Sequence, residues 1–256
     1  MSVPFFVAIE GIDGSGQTTQ SRILSATLRE EGIDAVAVEE PTSEPTGRLL
    51  RRWLAGEFAF DQPESIATLF LLDRYEHFWS TIRPALDSNM AVVCNRYHLS
   101  WEVYQSAELT NEWLNGISMY LAVERPHLTI VLDMYGHEKE AMARVKNRKK
   151  PKEVYEKLDF QKRISLRYLE RASRSGVSSV CTAVVNGAMP KEAVAKEVRL
   201  LALSVYEHLK EIKELQSPEV EPQTFTPSGV NAIYWKSVRA RERYIQNHKH
   251  LTKALN

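Results

Sequence analysis

The sequence predicts a parallel α/β sandwich, and three observations carry that prediction. Apolar runs of strand length alternate with long amphipathic segments. The first, third and fourth of these runs are apolar throughout rather than alternating. A glycine-rich turn joins the first run to a helix start. Continuously apolar strands suit a sheet covered by helices on both faces, and strand–helix alternation is the pattern of parallel crossovers. Strands are expected at residues 5–10, 34–39, 90–95, 127–133 and 178–186. Helices are expected at about 18–31, 47–56, 64–87, 111–123, 138–147, 153–175 and 191–215.

At 256 residues and 43% hydrophobic, the chain can bury one good-sized core with an appendage. Lys plus Arg is 33 and Asp plus Glu is 33, so global charge argues for neither nucleic acid nor a membrane as partner. Cys94 and Cys181 sit in apolar strand-like runs and read as buried thiols rather than a disulfide or metal pair. The first residues lack a basic region, and their apolar run stops at Glu10, so no signal peptide is expected. No run reaches transmembrane length. A soluble protein of the reducing cytoplasm is the expectation.

After residue 215 the character changes. "QSPEVEPQTFTPSG" has three prolines and no periodicity, as in a linker or surface arm. Residues 230–256 carry Lys236, Arg239, Arg241, Arg243, Lys249 and Lys253 and read as one basic helix. Its Tyr234, Trp235 and Tyr244 suit either stacking on nucleic acid or packing on the folded body or a partner subunit; the zero net charge favours packing. His248 and His250 have no further ligands with them, so zinc is not expected.

The stretch "FVAIEGIDGSGQTTQ" is the strongest local signal. Gly11, Gly16 and Thr18 fit the frame G-x-x-x-x-G-K-[ST], and Asp13, Gly14, Ser15 and Thr19 complete the loop and helix start. Glycines let backbone N–H groups close around phosphate oxygens, and the helix presents its positive end. The Thr18 hydroxyl is then the expected Mg²⁺ ligand. The lysine slot holds Gln17. A cation about 4 Å from a phosphate charge is worth roughly 4 kcal/mol at an effective dielectric of about 20. Acting wholly in a transition state, that is about a thousandfold in rate. A glutamine still donates a hydrogen bond, so binding is expected to survive better than turnover.

Beyond the loop, "EEPTSEPTGRLLRRWL", "LFLLDRYEHFWSTIRPAL", "VVCNRYHLSWEVYQ", "RPHLTIVLD" and "RVKNRKKPKEVYEKLDFQKRISLRYLERA" follow one another in an order and spacing that resemble the thymidylate kinases. The Pro-Thr form of the second motif is similar to archaeal-type members. The resemblance implies a P-loop nucleoside monophosphate kinase fold, a three-layer sandwich on a five-stranded parallel sheet. It also implies transfer of the ATP γ-phosphate to dTMP or a related pyrimidine nucleotide with Mg²⁺, in a homodimer using the helix at 64–87. Residues 1–215 would form this domain, with a lid at about 144–153, and residues 216–256 a linker and helical extension.

By the same resemblance, Asp13 contacts the sugar 3′-hydroxyl, Phe70 stacks on the acceptor base and Arg74 bonds its edge. Arg96 grips the acceptor phosphate, with Ser100, Trp101 and Tyr104 on the same side. Arg148 on the lid is the catalytic arginine, with Lys149, Lys150 and Lys152 beside it as substitutes for the missing charge. Plainer roles exist for several of these: a turn-capping Asp13, core packing for Phe70, and a surface ion pair of Arg74 with Asp73 or Glu76. An arginine directly after a buried strand, as Arg96 is, needs a partner for its charge.

Three positions depart from the pattern. Gln17 replaces the loop lysine, Asn95 replaces a metal-holding Asp, and Trp101 stands where a smaller residue is usual. The first two turn a cation and an anion on one triphosphate–metal unit into neutral amides. A catalytically impaired nucleotide-binding relative, acting as regulator or scaffold, is therefore the alternative reading. Trp101 either narrows the base pocket or points into the helical core.

Overall fold

The computed structural model describes residues 2–121, 123–147, 153–174 and 181–215. Five parallel strands form one sheet in the order β2-β3-β1-β4-β5: β1 (Phe5–Gly11), β2 (Ala35–Glu39), β3 (Ala91–Asn95), β4 (Leu128–Asp133) and β5 (Cys181–Asn186). The central strand β1 is buried along its whole length. Its side chains alternate between two faces. Phe5, Val7 and Ile9 meet α1 (Gln17–Glu30) and α9 (Lys191–Leu215) through Leu24, Leu28, Val194, Val198 and Tyr206. On the opposite face, Phe6 and Ala8 join Val92, Cys94, Phe78, Ile82 and Leu86. Beside them Val131 packs with Val103, Tyr104, Ile164 and Tyr168. Because β1 pairs with β3 on one side and β4 on the other, the chain direction of the layout reverses there. A crevice opens at the carboxyl ends of the strands.

The expected helix at 64–87 is three segments: α3 (Pro63–His77), a π turn (Phe78–Ile82) and α4 (Arg83–Asp87). Pro84 has no N–H to donate, and the Arg83 N–H reaches back five residues to the Phe78 carbonyl. The remaining helices are α2 (Pro45–Leu54), α5 (His98–Gln105), α6 (Asn111–Tyr120), α7 (Glu138–Lys146) and α8 (Leu158–Arg174). Helix α5 was not expected; it is two turns long, too short for periodicity to show. Helix α8 begins at Leu158 rather than near 153, since Tyr155 stacks on Phe160 and meets Trp53 in a turn instead. Cys94 is buried and Cys181 half-buried, and neither forms a disulfide. Among the described residues, no helix is long and apolar enough to cross a membrane. The proposed extension at 216–256 lies outside the described residues.

Candidate functional site

The loop between β1 and α1 needs its glycines. Gly14 has φ +82°, and a Cβ there would sit 2.1 Å from the Ala141 carbonyl oxygen. Gly16 has φ +104° and caps α1 with no side-chain hydrogen bond, so no capping side chain takes up the first amides of the helix. Ser15 Oγ is buried with no hydrogen-bond partner among the described residues, while Thr19 is exposed and outside the cleft lining. Gln17 folds back on the loop: its Nε2 donates to the Gly11 carbonyl at 2.5 Å. Arg96 Nη1 donates to the same oxygen at 3.1 Å.

Beside this loop lies a cleft of about 270 Å³ at the carboxyl edge of the sheet. It brings together Asp13, Gln17, Thr18, Phe70, Arg74, Asn95, Arg96, Ser100, Trp101 and Tyr104, residues that come from three separate motifs of the sequence. Arg148, Lys149, Lys150 and Lys152 lie outside the described residues.

Arg96 has φ +63°, a left-handed conformation that costs a non-glycine residue free energy and is held here by its surroundings. Its N–H donates to the Ile9 carbonyl, and Cys94 Sγ donates to its carbonyl oxygen. The guanidinium meets Asp13 Oδ1 at 2.5 Å and Ser100 Oγ at 3.3 Å, and lies over the Tyr104 ring. Burial opposes its charge, but Tyr104, Asp13, Tyr168 and Glu10 outweigh that and hold it firmly protonated. Asp13 is clasped from its other side: Gln161 Nε2 donates to Oδ2 at 2.7 Å, and Gln161 Oε1 accepts from the Asp13 N–H at 3.2 Å.

Arg74 is 3% exposed and does not make the surface pair weighed from the sequence. Its Nε and Nη2 both donate to Glu40 Oε2, at 3.0 and 2.8 Å, and Nη2 also donates to the Tyr97 carbonyl. His77 Nδ1 lies 3.2 Å from the other Glu40 oxygen. Burial works against the Glu40 charge, but Arg74 and His77 outweigh it and hold the carboxyl below its ordinary range. Arg74 lines the cleft, and its Nη1 is buried with no hydrogen-bond partner among the described residues. Asp73, offered as the partner of Arg74, instead accepts from the Thr42 N–H and from the hydroxyls of Thr42 and Thr46, tying α3 to the Pro-Thr loop. Glu40, His77 and Cys94 approach within 4.8 Å of one another. With Arg74 on Glu40 and burial keeping the Cys94 thiol protonated, this group reads as part of the ion-pair network.

Trp101 is 3% exposed, and its Nε1 donates to the Ala67 carbonyl at 2.9 Å. It packs with Leu71, Leu109 and Leu114, and Phe70 joins the same cluster from the partly buried side. Both aromatics also line the cleft. The indole is thus anchored in the helical core while contributing to the pocket wall.

Glu10, at the end of an apolar strand, was missed. It accepts from the Tyr97 and Ser100 N–H groups and from Ser100 Oγ, and so fixes the start of α5. Burial raises its pKa against these hydrogen bonds. A carboxylate closing a continuous apolar run was the available signal. Gln161 had no comparable signal, being 148 residues from Asp13.

One pH effect follows from α5. Burial pushes the His98 pKa from 6.5 down to about 4, against the pull of Glu102, whose Oε1 is 2.6 Å from His98 Nε2. Arg125 also faces Glu102, at 3.5 Å. The unfolded chain takes the His98 proton first, so stability is lost as pH falls from 6.5 towards about 4. The loss is about 3 kcal/mol on the order of magnitude set by that shift. His98→Gln is expected to flatten this limb in urea unfolding midpoints measured between neutral and acidic pH. An unchanged acid limb would assign it elsewhere.

Comparison with known proteins gives a consistent set of likenesses. The family model described as Thymidylate kinase matches residues 9–198. A probable thymidylate kinase of Pyrococcus abyssi is 38% identical over 173 residues, 66% of this chain and 82% of that protein. A thymidylate kinase of Thermomicrobium roseum is 36% identical over 198 residues, covering 76% and 92%. A probable thymidylate kinase of Pyrobaculum calidifontis is 37% identical over 195 residues, covering 75% and 93%.

Proposed function

Because the chain belongs to the thymidylate kinase family, we propose that it transfers the γ-phosphate of ATP to dTMP or a closely related pyrimidine nucleotide. The observation that carries this is the single cleft in which the loop threonine Thr18 and the acceptor-side residues Phe70, Arg74 and Arg96 meet. Backbone amides at the start of α1 bind phosphate. Phe70 offers a stacking face, and Arg74 Nη1, without a partner among the described residues, offers a donor to an exocyclic oxygen of the base. Arg96, preset by Asp13 and Gln161, binds the acceptor phosphate. Arg148, outside the described residues, is the resemblance's candidate for further positive charge toward the transferring group.

The oxygen donors at the cleft suit Mg²⁺: the Thr18 hydroxyl, and Asn95 Oδ1, which is buried with no partner among the described residues. When bound with ATP, the ion would offset charge on the phosphates, and Thr18 and Asn95 would face it.

A second reading rests on one contact. Gln17 gives its amide to the Gly11 carbonyl, so this side chain stabilises the loop rather than reaching a phosphate. A chain that binds both nucleotides without turnover would fit that geometry. A coupled assay of ATP plus dTMP with Mg²⁺, run beside calorimetry for each nucleotide, separates the two. Turnover supports the kinase reading, dTMP binding without turnover supports the second, and neither binding nor turnover removes both.

A homodimer belongs to the same proposal. Leu72 of α3 and Trp79 of the π turn are exposed, Trp79 at 53%, and lie two helical turns apart. A charge at Trp79 is expected to convert a dimer to a monomer in light scattering. A monomeric wild type would end this part of the proposal.

A further inference from the structure

Asn95 removes a negative charge from the place where the reading above puts a metal, and the structure holds another carboxylate beside it. Strands β2 and β3 pair in parallel with Glu39 directly opposite Asn95, both at the carboxyl edge of the sheet. In-register neighbours on adjacent strands point to the same face. Asn95 Nδ2 is 3.0 Å from Thr18 Oγ1 and 3.5 Å from Glu39 Oε2, so one amide stands between the hydroxyl and the carboxylate. The orientation of that amide follows from its neighbours: an N–H group suits two oxygens, one of them anionic, where a carbonyl would not. Asn95 is 8% exposed, and its Oδ1 has no partner among the described residues.

Three of the other carboxylates of the cleft are committed. Asp13 is held by Arg96 and Gln161, Glu40 by Arg74 and His77, and Glu156 accepts from the Glu153 N–H; Glu153 lies in that same turn before α8, away from the Thr18–Asn95 pair in sequence and element. Among the described residues Glu39 has one ion pair, to Arg51 at 3.2 Å with both side chains nearly half exposed, besides the long contact from the Asn95 amide. Such a pair is worth about 1 kcal/mol or less and yields readily to a divalent ion.

The geometry points to Glu39 as the residue that supplies the anionic charge for the nucleotide-bound divalent cation, in the place where Asn95 no longer does. This rests on the nucleotide-binding reading of the cleft. The charge has moved one strand outward, from the end of β3 to the end of β2, while Thr18 and Asn95 remain as neutral oxygen donors.

The test is equilibrium binding of a fluorescent ATP analogue to the full chain, with Mg²⁺ and with EDTA. Wild type is expected to bind about tenfold or more tightly with Mg²⁺, the worth of one charged contact. Glu39→Gln should lose that gain while keeping the affinity seen in EDTA. Adding Asn95→Asp to Glu39→Gln should restore it, although Arg51 still lacks its partner. Mn²⁺ in place of Mg²⁺ gives an independent readout: the spectrum of protein-bound Mn²⁺ with ATP should be present in wild type and the double variant and absent in Glu39→Gln. Retention of the Mg²⁺ gain by Glu39→Gln overturns the inference, as does failure of the double variant to recover it. A wild type that binds equally with and without Mg²⁺ overturns it too, leaving nucleotide binding intact. A wild type that binds under neither condition overturns the functional reading itself.

Discussion

Arg74→Met is expected to lower stability by about 3–5 kcal/mol, the cost of leaving a buried carboxylate without its cation. For a chain of this size that corresponds to a fall of roughly 6–20 °C in Tm. The cause is specific. Arg74 and Glu40 side chains are 4% and 6% exposed, and the guanidinium makes two bonds to one carboxylate oxygen plus one to the Tyr97 carbonyl. Met keeps the unbranched aliphatic stem and removes the guanidinium, so the part of the packing made by the stem is retained. Adding Glu40→Gln to Arg74→Met should recover much of the loss, since the uncompensated charge is then gone. Neither variant should bind dTMP well, because the Nη1 donor is missing in both. Chemical denaturation and calorimetry read the two effects separately. A change in stability below about 1 kcal/mol for Arg74→Met would show that the pair is hydrated in solution.

Gln17→Lys is expected to raise turnover by up to about a thousandfold, the full electrostatic value of a cation near the transferring phosphate. A lysine at this position can still donate to the Gly11 carbonyl in the resting loop, so the fold tolerates it. Asn95→Asp alone should do much less, because Glu39 already places a carboxylate beside the same cation. The two together should approach the product of the single effects. Single-turnover measurements with saturating nucleotides isolate the chemical step from binding. If neither substitution nor their combination changes the rate, the amides at 17 and 95 do not limit transfer.

Much of the fold was legible because its signals are local. The apolar run ending in Glu10, the glycine turn and the start of α1 fall within about a residue of their expected bounds, as does the last helix at Lys191–Leu215. Turn chemistry and periodicity act over a few residues, so a sequence shows them directly. Helix α5 was not legible. Its start is held by Glu10, which lies 90 residues away, rather than by a side-chain cap of its own. The break in the rod after His77 was equally hidden, because Pro84 acts through the register of the preceding turn.

By itself the sequence determined the parallel α/β plan, the glycine loop with Gln17 in the lysine slot, and the family resemblance from which the acceptor-side candidates come. The tertiary structure decided who partners whom. Arg74 meets Glu40 rather than its helical neighbours, Asp13 is held between Arg96 and Gln161, and Glu39 stands beside Asn95. The reason is physical. A charged side chain taken out of water takes whatever partner the packing brings within reach, and that depends on strand order and register. Both are settled only when the whole core forms.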